Sequence, residues 1–126
     1  MSSVNKVIIV GRLGRDPESR TMPDGRAVCS VSLATSERWK DKSTGDQREK
    51  TEWHNCEAFG RTAEVIAEFC KKGDLLYVEG ALTTQKWQDK GGKDRYTTKV
   101  RVQSIQFLTP KNGGAPADTS DDDKNF

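Results

Sequence analysis

The chain has 126 residues, 33% hydrophobic and 32% charged, with three cysteines and a formal net charge of +2. That is one domain's worth of sequence, large enough for a core but poor in core material. It has no run of about 18 apolar residues that could span a membrane, and its amino end lacks the apolar stretch of a secretory signal, so the expected location is the cytoplasm. Two of the 21 bases and four of the 19 acids fall from Pro110 onward, which leaves residues 1–109 at +4 and residues 110–126 at −2. A basic body with an acidic tail suits a polyanion partner.

In chain order, Val4, Val7, Ile8, Ile9 and Val10 place apolar groups on both faces of a first strand. One covered face suffices for a barrel strand, so the surplus predicts an isologous subunit interface, with Val7 and Ile9 as its candidate residues. Cys29, Val31 and Leu33 alternate with Ser30 and Ser32, a strand with one core face and one wet face. Over residues 51–59 the same pleat puts Trp53, Asn55, Glu57 and Phe59 on one side and His54, Cys56 and Ala58 on the other. A helix is predicted over 61–72, from the spacing of Ala63, Ile66, Phe69 and Cys70. Thr62 is its N-cap, and Lys71, Lys72 and Gly73 form a basic last turn with a stop.

Over residues 75–87, Val78, Gly80 and Leu82 read as inward, whereas Tyr77, Glu79, Ala81, Thr83, Gln85 and Trp87 have the opposite parity. Residues 86–96 read as a charged hairpin arm, with Gly91-Gly92 supplying positive φ at its turn. In the last strand Val100 and Val102 are even-numbered but Ile105 and Phe107 odd, so a β-bulge is expected near Gln103-Ser104. The domain ends near Thr109, and the Gly/Pro/Ala-rich stretch 110–117 leads as a flexible linker into a disordered acidic tail. Three strands, one helix and two strands give an all-β protein with one helix, in the order of the OB-fold five-stranded barrel.

The chemistry lies in the aromatics. Trp39 stands between Arg38 and Lys40, Trp53 between Glu52 and His54, Phe59 beside Gly60-Arg61, and Trp87 between Lys86 and Gln88. One such ring is ordinarily a half-buried strand residue, but four in polar, mostly basic surroundings point to a wet cationic surface. Unpaired bases stack on such rings while the cations meet phosphates, and stacking alone does not separate DNA from RNA. Cys29, Cys56 and Cys70 are odd in number and lack metal-ligand spacing, so neither a disulfide, a metal nor another cofactor is expected. A nuclease on this barrel would need acids clustered as metal ligands, whereas the acids here are scattered or gathered in the tail, so no enzyme activity is expected.

Val4 to Glu18, Leu33 to Trp39, Thr51 to His54, Phe59 to Val65, Lys72-Gly73, Tyr77 to Gly80 and Asp94 to Thr98 closely resemble the bacterial single-stranded DNA-binding proteins, over nearly the whole body. The resemblance implies a homotetramer of OB-folds, cytoplasmic and nucleoid-associated, that binds single-stranded DNA without sequence preference in replication, recombination and repair. It further implies that Trp39, Trp53, Phe59 and Trp87 stack on bases and that Lys42, Arg61, Lys72 and Lys86 track phosphates. His54 and Tyr77 would join the first strand at subunit contacts. Asn55, Cys56 and Glu57 stand where the family tends to carry a more basic or apolar stretch.

The family's tail ends in acids followed by Ile-Pro-Phe, which enzymes of DNA metabolism grip. Here Asp121, Asp122, Asp123 and the terminal Phe126 match, whereas Lys124 and Asn125 replace the apolar, stiff pair. With a linker that is short for the family, this suggests a plasmid- or phage-borne relative, or one with altered partners.

Overall fold

A computed structural model describes residues 2–109. The elements are β1 (Val7–Leu13), β2 (Glu18–Thr21), β3 (Ala27–Lys40), β4 (Gln47–Phe59), α1 (Gly60–Phe69), β5 (Leu75–Gln88) and β6 (Asp94–Phe107). The sheet runs β1-β5-β6-β4-β3-β2, and a further pairing of β1 with β3 closes five strands into the barrel of an OB-fold. All pairings are antiparallel except β4 with β6, where Cys56 faces Val100 and Glu57 faces Arg101. β2 extends the sheet beyond β3. Sequence reasoning missed it because Glu18, Ser19, Arg20 and Thr21 are all exposed and carry no apolar alternation.

Period two governs the core. Ile9, Leu13, Cys29, Val31, Leu33, Cys56, Ala58, Leu76, Val78, Val100 and Val102 are buried together with Ala63, Ile66 and Cys70 of the helix region. The bulge stands where the parity slips: Glu79 pairs with Ser104 but Gly80 with Val102, so Gln103 is the extra residue. At the arm's turn Gly92 takes φ 80. Leu82, expected inward, is exposed, because β1 pairs with β5 only as far as Val7–Gly80 and nothing from β1 covers the next inward position. There Asn5 caps the open edge, donating to the Leu82 carbonyl and accepting from its N–H, both at 2.9 Å.

The helix differs at both ends from the sequence expectation. β4 runs into it directly, with Phe59 extended at the N-cap and no side-chain cap, so Thr62 lies inside the first turn. Gly60 makes the corner at φ 64, where an L-residue would be strained. The helix stops at Phe69 rather than Lys72, because two carboxylates capture the next amides: Lys71 N–H donates to Asp74 at 3.0 Å and Lys72 N–H to Asp16 at 2.8 Å. Phe69, expected in the core stripe, is exposed and meets Phe107 edge to face, 6.1 Å between centroids.

The first strand corrects the interface assignment. Ile9 is 6% exposed and Val7 packs against the same core, so neither faces outward. The exposed apolar residues of β1 are Ile8 and Val10, paired with Glu79 and Tyr77.

Candidate nucleic-acid interface

The strand register assembles one outward face across the barrel. On β3 and β4 the opposed pairs Val28–Phe59, Ser30–Glu57, Ser32–Asn55 and Ala34–Trp53 share the side turned away from the core. Glu57–Arg101 continues that side onto β6, and Ala81–Arg101, Thr83–Lys99, Gln85–Thr97 and Trp87–Arg95 carry it along the β5–β6 arm. Trp53, Phe59 and Trp87 therefore rise from a single surface interleaved with Arg95, Lys99 and Arg101. Trp53 is 56% exposed and Trp87 49%, far too open for core residues and open enough to receive a base.

Each ring on this face has its own seat. A Cβ on Gly14 would lie 2.3 Å from Cζ3 of Trp53, so only glycine lets the indole lie against that backbone. Arg15, Ser32 and Asn55 complete the hollow around it. The guanidinium carbons of Arg26, just before β3, and Arg101 of β6 stand 5.0 and 5.1 Å from the Phe59 centroid, a cation–π arrangement from either side of β4. Trp87 donates its indole N–H to Thr97 Oγ1 at 2.8 Å, which fixes its tilt on the arm.

Trp39 stands apart. It pairs with Arg48 and shares the side of the β3–β4 ribbon that carries Leu33 and His54 nearer the barrel, opposite to the side of Trp53. It is 47% exposed because β3 has left the barrel by that point. The two arm tips share one construction. An aspartate two residues after each tryptophan, Asp41 or Asp89, accepts from turn amides and from the arginine paired with that tryptophan, Arg48 Nε at 3.3 Å or Arg95 Nε at 3.0 Å. The Ser43 hydroxyl and amide hold the Asp41 carboxyl below the usual carboxylate range, and the Lys93 amide and Arg95 do the same for Asp89.

Of the four expected phosphate contacts, the structure places none on the central face. Lys86 has the parity opposite to Trp87 and meets Asp94 at 3.4 Å. Lys42 is exposed at the β3–β4 tip, Arg61 lies in the first turn of α1 at 3.5 Å from Glu64, and Lys72 is exposed in the turn after the helix. The cations that the face does bring together include Arg20, Arg26, Arg95, Lys99 and Arg101, none of them among the expected phosphate contacts. For Lys99 and Arg101 a signal existed, since they alternate with the inward Val100 and Val102.

The expected interface residues divide. His54 is half-buried, its Nε2 sharing a 2.9 Å hydrogen bond with Thr35 Oγ1. Tyr77 is half-buried outside the barrel and donates to Glu79, which raises the phenol's pKa and lowers the carboxyl's. All three cysteines are buried, and desolvation pushes the Cys56 thiol up to about 12. Among the described residues no group of histidine, cysteine or carboxylate side chains could hold a metal, and no helix is long and apolar enough to cross a membrane. The tail residues Asp121, Asp122, Asp123, Lys124, Asn125 and Phe126 lie outside the described residues.

Known proteins share this fold. The model of the single-strand binding protein family matches residues 4–108. Among solved structures, a chain of a Plasmodium falciparum SSB complex with ssDNA is 30% identical and superposes with a TM-score of 0.78, covering 86% of this chain and 98% of its own.

Proposed function

Because the chain belongs to the single-strand binding protein family, we propose that it binds and protects single-stranded DNA without sequence preference in replication, recombination and repair, and catalyses no reaction. The observation that carries this reading is the outward face of Trp53, Phe59 and Trp87 interleaved with arginines and Lys99, joined by Trp39 on the neighbouring arm. Every base has a π-face to lay on these rings, which accounts for the lack of sequence preference. Titration with oligo-dT should quench the tryptophan fluorescence, and unchanged fluorescence at saturating DNA would contradict stacking. A matched RNA oligomer as competitor measures the preference between the two nucleic acids.

The assembly we propose is a homotetramer. Its support is the outer face of β1 and β5, where Ile8 and Val10 are exposed beside Tyr77; His54 is kept as a further contact. Ile8→Glu should lower the sedimenting mass while the circular dichroism of the barrel persists. A wild-type chain that sediments as a monomer at micromolar concentration refutes the assembly. The tail reading rests on sequence alone: Asp121, Asp122, Asp123 and Phe126 recruit proteins of DNA metabolism, with Lys124 and Asn125 altering the partner set. Calorimetry of the natural tail peptide against one with Ile-Pro at positions 124 and 125 tests it on a tail-binding partner.

A further inference from the structure

A carboxylate in the middle of a face meant for phosphates is repulsive unless something covers it. Glu57 lies there, between Asn55 and Phe59 on the outward side of β4, yet it is only 5% exposed. Two cations cover it from different strands. Arg20 of β2 donates from Nη2 to Oε2 at 2.8 Å, and Lys99 of β6 brings Nζ to the same oxygen at 3.4 Å. Arg20 Nη1 also donates to Ser30 Oγ at 3.2 Å, which fixes the plane of the guanidinium.

Sharing one oxygen holds the two nitrogens no more than about 6 Å apart, within the span over which one phosphate group can accept charge-assisted bonds from both. Glu57 and Ser30 use only part of each cation's donor set, and the remaining N–H groups are free for a further acceptor. The triad carries a single net positive charge, matched to one phosphodiester. Its base position is adjacent: Phe59 lies two residues further along the same side of β4, about 7 Å away by strand geometry, under Arg26 and Arg101.

We propose that Arg20 and Lys99, with Glu57 as their positioning residue, form a seat for one phosphate of the bound strand, next to the base that stacks on Phe59. The proposal rests on the single-stranded DNA reading given above. Salt titrations of oligo-dT binding test it with Arg20→Ala, Lys99→Ala and the triple variant Arg20→Ala/Lys99→Ala/Glu57→Gln, in which no unpaired carboxylate is left buried.

A single shared phosphate predicts that each variant, the triple included, lowers the log-log salt slope by the same amount, about 0.7 for one lost contact on a single strand. Arg20→Lys should restore the slope, which a purely structural role for Arg20 would not require. Slopes equal to wild type overturn the seat, as does a triple variant that loses twice as much as either single variant, since that means two separate phosphates. Wild-type protein is the reference: if it fails to bind oligo-dT, the DNA reading falls and the seat with it, whereas binding with unaltered variant slopes removes the seat alone.

Discussion

The barrel face and the two arms present the same kind of ring on different foundations. Trp53 is seated by the close approach of Gly14 and Phe59 by two guanidinium groups, so both are held by residues far apart in sequence, on or next to strands that the core already fixes. Trp39 and Trp87 stand on hairpins whose shape depends on local hydrogen bonds at the tip. Packing fixes a ring before the ligand arrives, whereas an arm must be ordered as it binds, and that ordering is subtracted from the stacking energy. The arms themselves differ, since Trp87 is tied to Thr97 and, among the described residues, no hydrogen bond orients the Trp39 indole.

The largest effect should therefore fall on the barrel. Trp53→Ala is expected to weaken oligo-dT binding by close to 3 kcal/mol, the upper end of about 1–3 kcal/mol per lost stack. Trp87→Ala should cost less and Trp39→Ala least, all three with unchanged thermal unfolding, because each ring is about half exposed. Fluorescence titration of the three variants gives the order, and a Trp39→Ala loss equal to that of Trp53→Ala would break the distinction between packed and tethered rings.

Gly14→Ala sharpens the barrel half of the comparison. The added methyl would sit 2.3 Å from Trp53, and the indole, open to solvent on its other side, must swing away. Binding should weaken by about 1 kcal/mol, the lower end of a lost stack, while the barrel stays folded. In a Trp53→Ala background the same substitution should cost nothing, a non-additivity that a double-mutant cycle reads directly.

How much of this was legible in the sequence follows the same division. The parity of Trp53 and Phe59, the inward set Cys29, Val31 and Leu33, and the bulge at Gln103 are local period-two signals, and each stands where the alternation placed it. Glu57 shares their parity but is buried, because its cover comes from Arg20 and Lys99, 37 and 42 residues away in sequence. The same limit hid the helix end, which the carboxylates of Asp16 and Asp74 set. It also let Val7 and Ile9 read as surface, since a strand apolar on both faces does not say which face meets the core.

Thr97→Val sharpens the other half. It removes the acceptor of the Trp87 indole N–H but keeps the strand's shape, and the lost orientation should cost binding about 0.5–1 kcal/mol, the worth of one neutral hydrogen bond. Among the described residues Trp39 has no comparable handle. Isothermal titration of Thr97→Val in wild-type and Trp87→Phe backgrounds separates the bond from the ring, since Phe has no N–H to lose and the effect should vanish there.

The smallest expected effect is a pH dependence confined to the arm tips. Asp41 and Asp89 have carboxyls held below their usual value by the amides and side chains that donate to them. A carboxyl depressed in the folded state stabilises that state fully above its unfolded pKa, near 3.9, and loses the contribution as pH falls through the depressed folded value. The tips should therefore keep their order through the neutral and mildly acidic range and loosen only below about pH 4. The Ser43, Thr44, Gly91 and Lys93 amide resonances should then shift toward exposed values while those of Val31 and Val78 in the core stay fixed. Asp89→Asn should abolish the transition at Gly91 and Lys93 and leave Ser43 and Thr44 titrating as before. If the two tips lose their order together in that variant, they are one cooperative unit with the barrel, and the contrast between a packed face and tethered arms would fail at its base.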